Sequence, residues 1–405
     1  MNPVVAGLDW ASEKHDVLIC DAAGRRLAER VIAHTEAGLS GLCDLLIEHQ
    51  VAHVAIERPD GLLVDRLTDA GIAVMAVHPN QVKAARPRFT AAGGKSDRFD
   101  AMVLCELART DAHRFRLIQP DSDATRALRA RTRGRQDLVE QRVALANQLQ
   151  AQLDAFWPAG SRVFGDLASP ISLAFLARYP TPTDCRGLTP ARMRAFLTQH
   201  SYSGRRAPEL LLERLHAGGP AGRTGEHELA ARRTLVLALV AALQVLVTQI
   251  ALLTKQISAA LQEHPAGPVF RSFFADPKTA ICPASLLAEI GDDHSRYPDR
   301  DTLCADGGMS PVAVESGKHQ HAAFRRACDK RLRTQICVLA DASRRTNPWA
   351  ADVYNRARAR GQNHPRAIRT LGRAWTRILW ACWQNNTPYN TTQHRAATRH
   401  IQNEG

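Results

Sequence analysis

Between Arg233 and Lys255 the chain runs for 21 residues without a charge, TLVLALVAALQVLVTQIALLT. A helix of that length and composition has two solutions: it crosses a bilayer, or it is covered by protein. Val236, Leu239, Leu243, Leu246, Ile250, Leu253, Ile257 and Ala260 recur at alternating intervals of three and four, which is the spacing of a heptad seam. Gln244 and Gln249 would also be costly against hydrocarbon. The run is therefore expected to be a coiled-coil or bundle helix, with no membrane involved. Its natural partner is a second periodic stretch carrying Leu138, Leu145, Leu149, Leu153 and Phe156.

The first hundred residues follow another rhythm. VVAGLDW and HDVLICD are short apolar runs, DAAG is a tight turn, and RRLAERVIAHT is a third strand-like run. EAGLSGLCDLLIEHQ then has helical spacing, AHVAIE reads as a strand, GLLVDRLTDAG as a helix, IAVMAVHP as a strand, and a helix is expected from about residue 97 to 110. The order β-β-β-α-β-α-β-α predicts one α/β domain with a mixed sheet. The organisation expected is an α/β domain over 1–115 and a helical, coiled-coil region over 116–264 with an insertion at about 158–230. A mostly α carboxy-terminal domain over 265–390 and a polar tail over 391–405 follow.

Charge is distributed unevenly. The net charge is +13, yet residues 1–100 carry 11 Lys and Arg against 14 Asp and Glu, whereas residues 311–405 carry 17 against 5. A basic tail suits a polyanion, because each neutralised phosphate releases counterions. Nine cysteines without a CxxC pair fit a reducing compartment better than a disulfide scaffold or a zinc ribbon. MNPVVAGLDW has neither a basic start nor a cleavage-like site, so a cytoplasmic protein is expected.

Asp9 ends the first predicted strand and Glu57 ends AHVAIE. If those strands are neighbours, the two carboxylates meet, because polar residues at strand ends are where sites form in α/β sheets. Asp97 and Asp100 stand three apart at the start of a helix and share a face. Four mutually repelling acids are reasonable around a hard cation, and a set of oxygen ligands favours Mg²⁺ or Mn²⁺. Two such ions about 4 Å apart would clamp both oxygens of an in-line phosphoryl transfer. Alternatively, Asp97 and Asp100 do no more than offset the dipole of a helix capped by Ser96. The order of elements is that of the ribonuclease H fold.

Toward the carboxy terminus, CADGGMSPVAVESGKHQHAAFRRACDKRLR holds Ser310 before a proline and Ser316 before a glycine. A serine among cations, followed by glycine, can serve as a nucleophile toward a phosphodiester or simply occupy a loop. Lys318, Arg325, Arg326, Lys330, Arg331 and Arg333 follow it and could neutralise phosphates. Arg126, Arg129 and Arg133 open the long helical stretch and are a second candidate nucleic-acid surface. Trp380 and Trp383 have the spacing of core residues rather than of a base-stacking platform.

The segments GLDWASEKHDV, VAIERPDG, KSDRFDA and GGMSPVAVESGK, in that order over residues 3–385, resemble the landmarks of the DEDD-type transposases of bacterial insertion sequences, the bridge-RNA-guided serine recombinases. The resemblance implies a RuvC-like amino-terminal domain in which Asp9, Glu57, Asp97 and Asp100 are catalytic acids and metal ligands. It also implies a transposase domain in which Ser316 attacks DNA to form a 5′-phosphoserine-type link. This chain has Glu315 where family members often have a further serine. Target and donor DNA, a bridge RNA, and a homo-oligomer, dimer or tetramer, joined through the coiled coil are the implied partners. Three alternatives stay open: a metal-dependent junction endonuclease using water, a non-catalytic remnant, and an actin- or sugar-kinase-like ATPase. The last wants small residues after its aspartate, where DWASEK places Trp10.

Overall fold

A computed structural model describes residues 3–57, 60–90, 96–217, 225–276, 278–316, 319–392 and 394. The chain forms two compact units, Met1–Asp121 and Ser122–Gly405.

In the first unit, strands β1 (Val4–Trp10), β2 (Lys14–Cys20), β3 (Arg26–Ala33), β4 (Val51–Ile56) and β5 (Val74–Ala76) form one sheet in the order β3-β2-β1-β4-β5. β1, β2 and β3 are an antiparallel meander, while β4 and β5 run parallel to β1. Helices α1 (Glu36–Glu48), α2 (Leu62–Asp69), α3 (Pro79–Ala85) and α4 (Asp97–Thr110) complete the unit. The alternation of each strand sorts its side chains onto two faces. Ala6, Leu8, Val17, Ile19, Val54 and Ile56 pack with the leucines of α1 and α2. Val5, Leu18, Cys20 and Ala55 pack on the opposite face with Val103, Leu104 and Cys105 of α4.

Two details depart from the sequence expectation. Helix α3 and the 3-10 turn Arg86–Arg88 stand where no element was expected. Pro79 at the helix start and the capping box made by His78 and Gln81 account for α3. The unit also runs past residue 115, because Leu117 bridges Met75 and the Ile118 N–H donates to the Val74 carbonyl at 2.7 Å.

The second unit is built on α5 (Asp123–Phe156), followed by α6 (Pro158–Arg162), α7 (Pro170–Arg178), α8 (Pro190–Gln199), α9 (Pro208–Ala217) and the 38-residue α10 (Glu226–Glu263). Leu149 and Leu153 of α5 pack with Val236, Leu239 and Leu243, and α6–α9 close over that end. Leu128 packs with Ile257 and Leu261, so α5 and α10 are antiparallel. By length and composition α10 could span a membrane. Its heptad residues Val236, Leu239, Leu243, Ile250 and Ile257 are instead buried inside the unit. The seam expected to join subunits is therefore used within the chain. A second stripe, Ala238, Val245, Leu252 and Ala259, also repeats every seven residues and is exposed.

α11 (Gly267–Arg271), α12 (Ile281–Ile290), α13 (Arg300–Asp306), strands β6 (Val312–Ser316) and β7 (His319–Ala323), α14 (Lys330–Thr346), α15 (Pro348–Ala359) and α16 (His364–Gln384) follow. They do not separate from the coiled coil at residue 265. Buried α12 lies against both α5 and α14, and Glu289 of α12, 3% exposed, pairs with Arg133 of α5. The tryptophans are structural: the indole of Trp375 donates to Ser343 Oγ at 2.7 Å, that of Trp380 to the Tyr297 carbonyl at 2.8 Å, and that of Trp383 to the Gly291 carbonyl at 3.1 Å.

Candidate active site

Gly7 determines how close α4 comes to the sheet. A Cβ at this position would lie 2.1 Å from the Ala101 carbonyl oxygen and 2.2 Å from the Cys105 nitrogen, both backbone atoms of α4. Only a residue without a side chain lets the helix sit directly on β1. Asp9 follows two residues later, on the same face of the strand. The glycine of VVAGLDW thus brings the first turn of α4, with its two aspartates, over Asp9.

Three strand carboxylates share this face. Asp9 pairs across the antiparallel ladder with Asp16, which has the facing of Leu18 and Cys20. Leu8 pairs with Ile56 in the parallel ladder, so Glu57 stands beside Asp9 with the facing of Ala55. Ser96 caps α4 by accepting from the Phe99 N–H at 3.2 Å. Arg98 pairs with Glu29 of β3 and ties this end of the helix down. Asp97 is exposed, Asp100 is buried, and Asp9 and Glu57 are half-buried. Burial, and then the charges of Asp100, Asp97, Glu57 and Asp16, push the Asp9 carboxyl up from 3.8 to about 7. Three of the four acids picked out in the sequence therefore act on the fourth, Asp9, and Asp16 adds one more charge.

Two members of the site were missed. Asp16 lies in HDVLICD and could have been found from the two-residue alternation that places it opposite Asp9. Arg86 donates to both oxygens of Asp100, at 2.7 and 2.8 Å, with the aspartate side chain 4% exposed. Such a bidentate pair stabilises a buried carboxylate. Arg86 arrives on the turn after α3, the helix the hydrophobic pattern did not reveal. Among the described residues no three His, Cys, Asp or Glu side chains converge closely enough to hold one ion in this arrangement. The donors are nonetheless all carboxylate oxygens, and burial together with their mutual repulsion raises the Asp9 carboxyl. That set suits a hard divalent cation.

The remaining candidates lie in the second unit. Ser316 is the last residue of β6 and pairs with His319 across the β6–β7 hairpin. Gly317 and Lys318 lie outside the described residues. The base of the hairpin is fixed by Arg325 Nε, which donates to the Ser310 carbonyl at 3.1 Å. Arg326 and Lys330 are exposed. Arg331 reaches Asp137 at 2.9 Å, and Arg333 donates to the Arg325 carbonyl at 2.7 Å. Arg126 is exposed, but Arg129 donates to the Ala288 carbonyl at 2.6 Å and Arg133 forms a bidentate pair with Glu289 at 2.9 and 2.6 Å. Both therefore hold α12 onto α5, a use of their guanidinium groups that arginine spacing alone did not reveal.

Residues 6–158 match a family model described as a transposase, of the DEDD type named for IS110, and residues 280–355 match a second, described as the transposase IS116/IS110/IS902 family. The chain is 33% identical over 401 residues to the IS117 mini-circle protein of Streptomyces coelicolor, covering 96% of this chain and 95% of that one. It is 27% identical over 407 residues to a 42 kDa protein of insertion element IS900 from Mycobacterium paratuberculosis, covering 98% and 99%. A 43.6 kDa protein of insertion element IS110 from Streptomyces coelicolor is 25% identical, with 96% of each chain covered. The chain belongs to the IS110/IS116 family of transposases.

Proposed function

We propose that this transposase cuts and rejoins DNA with Ser316 as the nucleophile and the acids of the first unit as a metal-dependent phosphoryl-transfer site. The observation that carries the reading is that the charges of Glu57, Asp97 and Asp100 act on Asp9 where α4 covers one face of a β3-β2-β1-β4-β5 sheet. That strand order, with a meander leading into parallel strands, supports a RuvC-like, ribonuclease H-type first unit. Asp9, Glu57, Asp97 and Asp100 would hold Mg²⁺ or Mn²⁺. When bound, the ion would supply Lewis-acid stabilisation of charge on the scissile phosphate. Arg86 holds Asp100 in place through its two hydrogen bonds, and Gly7 holds α4 close enough for its first turn to take part.

Ser316 Oγ would attack phosphorus, losing its proton as the bond to the 3′ oxygen breaks. The 3′ oxygen takes up a proton and leaves as a hydroxyl, and the 5′ phosphate stays on the serine. Arg326 and Lys330, exposed after the hairpin, are suited to backbone phosphates. The family resemblance assigns target and donor DNA as substrates and a bridge RNA as guide. A DNA substrate places the work in the bacterial cytoplasm. The exposed stripe Ala238, Val245, Leu252 and Ala259 on α10 is the face available to a second copy, and joining two DNA duplexes calls for more than one copy of the serine. The test is retention of labelled DNA on the denatured protein in Mg²⁺ with bridge RNA. Attachment lost in Ser316→Ala supports the reading, and cutting without attachment would favour hydrolysis by water.

A further inference from the structure

Phe324, immediately after β7, is 47% exposed. Guanidinium groups lie over its ring on two counts: Arg333 at 4.6 Å from the centroid and Arg369 at 4.8 Å. Arg333 also forms one wall of an open groove of about 520 Å³ between α14 and α16. Cys337, Val338 and Ile368 give that groove an apolar lining, and Arg345 and His364 also border it. The one acid in the lining, Asp341, is paired with Arg344 at 2.7 Å and Arg345 at 3.2 Å. Arg333 Nε is buried without a hydrogen-bond partner among the described residues, in a guanidinium that touches both the ring and the groove.

We infer that Phe324, Arg333 and the α14–α16 groove form a site for an unpaired nucleobase of DNA, next to the hairpin that carries Ser316. This rests on the reading that the second unit handles nucleic acid. The groove volume falls within the range of about 300 to 1,000 Å³ typical of ligand pockets. A base has apolar faces for Val338 and Ile368. Its flanking phosphates meet Arg345 and Arg369. Exposed aromatic rings and arginine planes are the usual surfaces on which unstacked bases settle, because every base has a π face. A duplex keeps its bases stacked and offers only backbone here, so the site selects DNA opened at the exchange point.

The test uses the full-length protein with a fluorescein-labelled oligothymidylate and an abasic oligomer of the same length. The abasic oligomer keeps the phosphates and lacks the bases. The oligothymidylate is expected to bind the more tightly. Phe324→Ala should weaken it by about 10-fold, leave the abasic oligomer within twofold, and thereby abolish the preference. Val338→Glu, at a side chain 45% exposed, should do the same by setting a carboxylate at the groove. Bound oligothymidylate should also protect Cys337 from alkylation. Equal binding of the two oligomers, or a Phe324→Ala protein that keeps the preference, overturns the inference and leaves the proposed function standing. Protection of Cys337 by an acidic amphipathic peptide but not by the oligomer also overturns it, assigning the groove to a protein partner. Failure to bind either oligomer or duplex at low salt removes both the inference and the nucleic-acid reading beneath it.

Discussion

Replacing Asp9 by asparagine should stabilise the first unit, and only at neutral to alkaline pH. The Asp9 carboxyl holds its proton more tightly in the fold than in the unfolded chain, at about 7 against 3.8. The folded state thus binds the extra proton between these values, and stability falls as pH rises through that window, the loss being complete above about 7. Asparagine has the shape of the carboxyl without its charge. The upper limit of the effect, for a carboxyl at about 7 in the fold against 3.8 unfolded, is about 4 kcal/mol. Asp9 is half-buried, and solvent screening reduces this to about 1–2 kcal/mol. For a unit of this size, that corresponds to a rise of about 5 °C in Tm. The assay is thermal unfolding of the full-length protein and of Asp9→Asn, in EDTA, at pH 8 and pH 4.5. The difference between the two proteins is the quantity to read, because buried His15, depressed to about 4, titrates in the same window with the opposite sign. A gain at pH 8 that shrinks toward pH 4.5 is expected. A loss of stability at pH 8, or an equal change at both pH values, would refute the reasoning.

Other substitutions test the neighbouring steps. Mg²⁺ at 100 times its Kd should stabilise the wild type by about 2.7 kcal/mol at pH 8, more than at pH 5.5, and should do little for Asp9→Asn; calorimetric titration checks the same point. Gly7→Ala should destabilise the first unit by about 3 kcal/mol, because a Cβ 2.1 Å from the Ala101 oxygen forces α4 outward, and DNA cutting should fall with it. Arg86→Gln should raise the Asp9 pKa further, since it removes the cation that offsets Asp100, and carboxyl NMR across pH 5 to 9 would read the shift. Arg133→Met should cost the second unit about 2 kcal/mol by leaving Glu289 unpaired in its buried position, measured by denaturant unfolding against Arg126→Ala as the exposed comparison.

The order of elements in the first unit and the places of its acids at strand ends and a helix start were legible because they depend on local periodicity: Asp9 and Glu57 end runs of apolar residues, and Ser96 with Asp97 announces the start of a helix. Arg86 was not, because α3 is only seven residues long and its contribution is a contact with Asp100 that sequence spacing cannot express. The heptad seam of α10 was correctly spaced and its partner, the periodic stretch ending at Phe156, was correctly named; what periodicity did not show is that this pairing uses the seam that was also expected to join subunits. Here α5 covers it, and the second stripe is the one left open. Arg129 and Arg133 show the same limit, since a run of arginines reads as a phosphate surface until a buried Glu289 and a bare carbonyl are found opposite. The β6–β7 hairpin escaped because its alternation is short and its turn residues resemble an ordinary loop.

The most direct measurement mixes the purified protein with Mg²⁺, bridge RNA and end-labelled matching DNA, then looks for label held on the protein in a denaturing gel. Wild type should retain label through a phosphoserine bond that alkali releases by β-elimination. Ser316→Ala should retain none, and Asp9→Asn should retain far less. Label that persists unchanged in Ser316→Ala would contradict the serine mechanism, and label that is indifferent to both Asp9→Asn and EDTA would contradict the metal-dependent acid site.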